Sequence, residues 1–163
     1  MQPFTQKYTI IQLFEDVAKG TRFAANSWPL HATIVDTFAI DWDVPTMVKK
    51  LGGLLADRQP ATSVAEKDTF FGPEKQTHVV LLRKTNGLMQ LHNDVVALLE
   101  QGRLRLNDPQ FARKGFLPHA TVQKHARLHK GDTAAFNALT LIDMFPDGDG
   151  HQRRVLTTVR LGS

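Results

Sequence analysis

The sequence predicts an α+β protein of two similar lobes related by a pseudo-twofold axis, and three observations carry that expectation. One short phrase occurs twice, as Pro29-Leu30-His31-Ala32-Thr33-Ile34 and as Leu117-Pro118-His119-Ala120-Thr121-Val122. Each phrase opens the same expected order of strand, helix, strand, turn and strand, over 30–83 and again over 118–161. A strongly amphipathic stretch, 87–101, stands between them. Outside the phrase the halves share little identity, so it is organisation that repeats rather than residues. A twofold axis would bring the phrases together although they lie 88 positions apart (31 to 119).

The elements follow in order. Residues 8–14 read as a strand apolar on both faces, hence a central one. Residues 15–27, with Lys19-Gly20-Thr21-Arg22 and Asn26-Ser27, form a connection of no definite type. The first phrase gives a strand over 30–36. Pro45 then opens a helix in which Met47, Val48, Leu51, Leu54 and Leu55 recur at helical spacing. Gly52-Gly53 weakens that helix, and Pro60 lies beyond its end. Strands are expected over 62–71 and 77–83, joined by the turn residues 72–76. In the 87–101 helix Leu88, Leu91, Val95, Leu98 and Leu99 form one stripe, and Gly102 suits a C-terminal cap. Residues 103–117 form an irregular, partly basic approach to the second signature strand, 118–124. A short helix is expected over 133–138 with Asp132 as its N-cap. Strands over 140–145 and 153–161 are joined by the turn Pro146-Asp147-Gly148-Asp149-Gly150, and Gly162-Ser163 reads as a disordered end.

At 163 residues the chain fits one domain, or two small lobes sharing a core. It is 42% hydrophobic and 22% charged, enough to bury an interior under an ordinary soluble surface. No run is long enough to span a membrane, and Met1-Gln2-Pro3-Phe4-Thr5-Gln6-Lys7 lacks an apolar signal segment, so the expected location is cytoplasmic. The absence of cysteine excludes disulfides, thiolate nucleophiles and thiolate metal sites. A net charge of +4 helps attract a phosphate-bearing ligand without making a dedicated duplex binder.

Alternate side chains of a strand point the same way, so His31 shares a face with Thr33, and His119 with Thr121. Either copy alone reads as a structural histidine at the end of a core strand; the pair reads as a site. Two imidazoles and two hydroxyls converging on one cleft suit a phosphodiester. Imidazole serves as acid or base near neutral pH, and hydroxyls donate to non-bridging oxygens where charge builds. No metal or other cofactor is expected. His31 and His119 are paired with hydroxyls, Asp36, Asp41 and Asp43 follow only the first phrase, and there is no His-Glu-x-x-His. Nucleotide-cradling glycine motifs and the nucleophile elbow are likewise missing. Arg113, Lys114, Lys124, His125, Arg127, His129 and Lys130 read either as a solvated loop or as a positive rim. Trp28, Phe70, Phe71, Phe111 and Phe116 are the aromatics expected near the cleft, one or two to stack a base and the larger part to pack. His78, His92 and His151 attract no specific expectation.

The pair His31-Ala32-Thr33-Ile34 and His119-Ala120-Thr121-Val122, each closely following a proline, resembles the twin His-x-Thr/Ser-hydrophobic signature of the 2H phosphoesterase superfamily. The nearest branch is the 2′-5′ RNA ligase-like (LigT-like) group, and the resemblance covers about residues 7–161. It implies a bilobal α+β fold, with antiparallel sheets flanking a central cleft and helices on the outside. It also implies metal-independent cleavage of cyclic or 2′,5′-linked phosphodiesters. By that resemblance His31 and His119 are the acid and base, and Thr33 and Thr121 bind the phosphate. The implied partners are RNA ends or small cyclic or 2′,5′-linked nucleotides. Residues 108–116 become the variable substrate-facing segment, and Phe111, Arg113, Lys114, Phe116 and Lys124 a candidate substrate rim.

The leading expectation is hydrolysis of a 2′,3′-cyclic phosphate. The alternatives are 2′,5′-phosphodiesterase or 2′-5′ RNA ligase activity, and a non-catalytic protein that binds RNA ends or nucleotides. Nothing in the sequence demands a dimer, and a monomer is expected.

Overall fold

Residues 6–162 are described by a computed structural model; the N-terminal residues 1–5, which enter the signal-segment reading, and Ser163 lie outside them. Tyr8–Leu13 (β1) is buried along nearly its whole length, as its two apolar faces require. It lies between His31–Ala39 (β3) and Ala138–Asp143 (β9), antiparallel to both. The other strands are Arg22–Ala24 (β2), Ala61–Phe71 (β4), Thr77–Leu82 (β5), Arg105–Leu106 (β6), His119–Thr121 (β7), Thr133–Phe136 (β8) and Gln152–Arg160 (β10). They form one sheet in the order β2-β10-β9-β1-β3-β7-β5-β4-β8, with β6 paired to the far end of β3.

Read outward from the β3–β7 contact, this order is nearly palindromic. On one side lie β1, β9 and β10; on the other lie β5, β4 and β8. Strand β5, from the first half, pairs with β7 of the second, while β9, from the second half, pairs with β1 beside β3. Each half therefore places strands in both lobes, the first setting β4 and β5 on the side of β7 and the second setting β9 and β10 on the side of β3. This corrects the expected repeat of element order, because the second copy has no helix.

Residues 133–136, expected to be helical, form β8 on Ala61–Val64 of β4. Ala134 and Phe136 are buried and Thr133 and Ala135 exposed, a period of two. Four residues cannot nucleate a helix, and β4 supplies a ready ladder. Asp132 caps nothing helical; its carboxylate accepts the His129 N–H at 2.7 Å.

The two predicted long helices form. Val44–Leu55 (α1) starts at Asp43, whose Oδ1 accepts the Thr46 N–H at 2.9 Å, and buries Met47, Leu51 and Leu55. Gly52 and Gly53 face open space, where the helix tolerates them. Asn86–Glu100 (α2) is capped by Thr85 and buries Leu88, Leu91, His92, Val95, Val96 and Leu99. Gly102 is not its left-handed cap, since Gln101 ends the helix and Arg103 takes the positive φ of 65°. Gly102 is needed for another reason: a Cβ there would lie 2.5 Å from the Trp42 ring.

Both helices cover one sheet face in a core that runs through both lobes. A smaller cluster, Ile11, Ile142 and Val155 with Phe23 and Trp28 against it, anchors the segment leading into β3. The chain end is held as well. Gly162 donates its N–H to the Leu55 carbonyl at 3.0 Å, which corrects the expected disordered end at that residue. Among the described residues no helix is long and apolar enough to cross a membrane.

Candidate active site

The two signature strands meet at a single pair, Ala32 opposite Ala120, both 1% exposed. One step to either side in an antiparallel ladder sets His31 beside Thr121 and Thr33 beside His119. Ala32, Ile34 and Ala120 point into the core, which leaves the two histidines and two threonines half-buried on the opposite face. Their outer neighbours match about the same axis. His31 and Thr33 pair with Leu13 and Ile11 of β1, and His119 and Thr121 with Leu81 and Val79 of β5.

Each imidazole is oriented by its own backbone. His31 Nδ1 lies 2.8 Å from the Pro29 carbonyl oxygen, and His119 Nδ1 lies 2.8 Å from that of Leu117. A carbonyl accepts, so Nδ1 carries hydrogen in both rings and Nε2 is left for a reacting group. Trp28 packs against the His31 ring at 4.7 Å and Phe71 meets the His119 ring edge-on at 4.8 Å.

Burial lowers the pKa of both rings, and their carbonyl bonds oppose it. Beyond that the two sites differ. The charge of His119 lowers the pKa of His31 further, while the Glu15 carboxylate raises it. Asp36 raises that of His119. Glu15 is fixed in place by the Leu30 N–H at 2.6 Å and His125 Nε2 at 2.7 Å, and the Leu30 bond leads in holding its carboxyl below the usual range.

Asp36 reaches this face through a β-bulge. Strict alternation from Thr33 would send it into the core. However, Ile11 pairs with Thr33 while Ile10 pairs with Val35, so β3 carries an extra residue at Ile34. The phase change turns Asp36 toward the cleft, where its Oδ1 accepts the Thr37 N–H at 2.9 Å. Sequence reasoning missed this residue because period-two alternation places it on the wrong side.

The cleft on this face has a volume of about 620 Å³ and is lined by Thr33 and His119 of the four signature residues, whereas His31 and Thr121 are not among its lining residues. Thr33, Asp36 and His119 contribute to its floor. One wall is the β4–β5 hairpin, with Phe70, Phe71, Gly72 and Lys75; the other is the segment before β7, with Phe111, Phe116 and Leu117. Two of the predicted rim residues, Phe111 and Phe116, are therefore here. The other three are not among the lining residues. Arg113 adopts a left-handed φ of 58° and pairs with Glu100 of α2. Lys114 and Lys124 are exposed away from the cleft lining. Arg127 is drawn to Asp68, both of whose oxygens lie 2.9 Å from its guanidinium, and Asp68 also takes His78 Nε2 at 2.7 Å. The cation lining the cleft is Lys75, at the hairpin turn, which nothing in the sequence distinguished from a solvated turn residue.

Among the described residues no three His, Asp or Glu side chains are grouped as metal ligands.

The family model of the 2′-5′ RNA ligase superfamily matches residues 7–143, a span that contains both signature strands. The chain belongs to that superfamily. This places it in the LigT-like branch of the 2H phosphoesterases. A search of curated proteins gives no match. Among solved structures, the protein TT0787 of Thermus thermophilus superposes with a TM-score of 0.60 at 13% identity, covering 96% of this chain and 98% of its own. A protein described as a phosphoesterase gives 0.55 at 18% identity, with 97% and 99% covered. E. coli LigT complexed with 3′-AMP gives 0.54 at 18% identity, with 97% and 99% covered. The chain shares their bilobal α+β fold.

Proposed function

We propose that this protein is a metal-independent phosphodiesterase that hydrolyses a 2′,3′-cyclic phosphate by two-histidine acid–base catalysis. The observation that carries the reading is the Ala32–Ala120 pair. It holds two imidazoles on one cleft face, each with Nδ1 committed to a carbonyl and Nε2 without a hydrogen bond among the described residues. The ligands of E. coli LigT, 3′-AMP among them, point to the same class of substrate.

The two environments divide the roles. Asp36 favours the imidazolium at His119, and that charge in turn disfavours a second one on His31. Burial lowers the pKa of both rings, so the reacting form is the one-proton state of the pair, and we assign that proton to His119. His31 Nε2 takes a proton from water, whose oxygen attacks phosphorus. The bond from phosphorus to one ribose oxygen breaks, and His119 Nε2 protonates that oxygen, giving a phosphomonoester. The Thr33 and Thr121 hydroxyls donate to the non-bridging oxygens, and Lys75 draws the phosphate toward the cleft. The 163 residues act as one bilobal unit, since each half of the chain supplies strands to both lobes. A cytoplasmic location belongs to the same proposal.

The test is phosphorus NMR of nucleoside 2′,3′-cyclic phosphates incubated with the protein and EDTA between pH 5 and 9. A single 2′- or 3′-monophosphate formed on a bell-shaped rate profile supports the reading. Binding of nucleotides with no turnover on cyclic or 2′,5′-linked substrates overturns it in favour of a binding protein.

A further inference from the structure

His92 projects from α2 and is only 2% exposed, yet both of its ring nitrogens are bonded. Nδ1 lies 2.7 Å from the Ile34 carbonyl oxygen, and Nε2 lies 2.9 Å from the backbone nitrogen of Arg113. A carbonyl accepts and an amide donates, so these partners require a neutral ring protonated at Nδ1. Burial, seconded by the Arg113 charge, lowers its pKa and keeps it so. The ring also lies flat on Phe116, with centroids 3.9 Å apart and planes 4° from parallel. One side chain thus ties β3, at its bulged residue, to the cleft wall at two points.

That wall needs a tie. Arg113 holds a left-handed φ of 58°, a conformation that persists in a non-glycine residue where its surroundings fix it. Two residues on, a Cβ at Gly115 would lie 1.8 Å from the Gln110 carbonyl oxygen, so the segment folds tightly on itself. It ends at Leu117, whose carbonyl orients His119. Any displacement at Arg113 or Phe116 therefore passes to the group that fixes the His119 ring. His31 is oriented by Pro29 instead, outside this segment.

We propose that His92 is a positioning residue. It holds residues 109–117 against β3 so that the Leu117 carbonyl keeps His119 protonated at Nδ1, with Nε2 directed to the phosphodiester. The kinetic consequence rests on the reaction proposed above; the tautomer consequence does not.

Long-range proton–nitrogen NMR of the wild type, H92F and H92Q, with kcat and KM on a nucleoside 2′,3′-cyclic phosphate, tests it. H92F keeps the ring stack and loses both hydrogen bonds, whereas H92Q retains an acceptor for the Arg113 N–H. The wild type is expected to show His92 protonated at Nδ1. In H92F the His119 signals become a mixture of tautomers while those of His31 do not change. Its kcat falls by about ten- to a hundredfold with a smaller change in KM, the effect of a misplaced acid; H92Q recovers most of that loss. The proposal is overturned if wild-type His92 is protonated at Nε2, if His119 is unaltered in H92F, or if His31 and His119 are disturbed alike. Should H92F fail to fold, the wild-type tautomer and H92Q decide. A wild type inactive on every phosphodiester would sink the proposed reaction and leave the spectra to judge His92.

Discussion

Replacing Thr33 and Thr121 by valine separates a hydroxyl kept for the ligand from one that holds the fold. Thr9 Oγ1 donates to the Val35 carbonyl at 2.7 Å, Thr85 Oγ1 to that of Thr62 at 2.8 Å, and Thr140 bonds Thr158 at 2.8 Å. The hydroxyls of Thr33 and Thr121 have no such partner among the described residues. Valine matches threonine in shape and strands no protein group here, so stability should change by no more than about 0.5 kcal/mol. The rate should respond very differently. A hydrogen bond to a charged oxygen is worth about 1.5–3 kcal/mol, which is roughly ten- to 150-fold in kcat/KM for each substitution. Both hydroxyls donate to one phosphate across the Ala32–Ala120 pair, so the losses are coupled and the double variant should lose less than their product. Thermal melts by circular dichroism and initial rates on a nucleoside 2′,3′-cyclic phosphate supply both quantities. Unchanged kcat/KM in either single variant would remove that hydroxyl from the site. A melting point lowered by many degrees would assign it to the fold.

The carboxylates should move opposite limbs of the pH profile. Asp36 raises the pKa of His119, so D36N lets the acid lose its proton sooner and shifts the alkaline limb to lower pH. Glu15 raises that of His31, so E15Q frees the base at lower pH and shifts the acidic limb downward. Plots of log kcat/KM against pH check both, and limbs exchanged between the two variants would exchange the acid and base assignments. Phe116 is 6% exposed and stacked on His92, so F116A should lower stability by about 3–5 kcal/mol in urea titrations. A loss below about 1 kcal/mol would mean that the ring is not part of the core.

Much of this was legible in the sequence because local pattern and tertiary role agree there. The duplicated phrase sets the face of both signature strands, and each helix shows its apolar stripe and its capping residue. Where pattern and packing diverge, the sequence misleads. Thr133–Phe136 has an acidic residue before it, as a helix would, but the open edge of β4 captures it as a strand. The strands that each half places in the other lobe make non-local pairings that no window of sequence contains. Asp36 was hidden by the bulge at Ile34, which reverses the alternation that made His31 and Thr33 readable. The basic residues near the second phrase were visible, but their partners were not. Glu100 and Asp68 take up Arg113 and Arg127, and Lys75 from a distant hairpin stands at the cleft instead.

The central claim is that His31 and His119 act as one unit on a single phosphodiester, and the turnover of H31A, H119A and their double variant in EDTA tests it most directly. Each single substitution should reduce kcat by about a thousandfold or more, and the double variant should be no slower than the worse single, as for groups that work together. Either single variant keeping near wild-type turnover, or losses that simply multiply in the double variant, would contradict it.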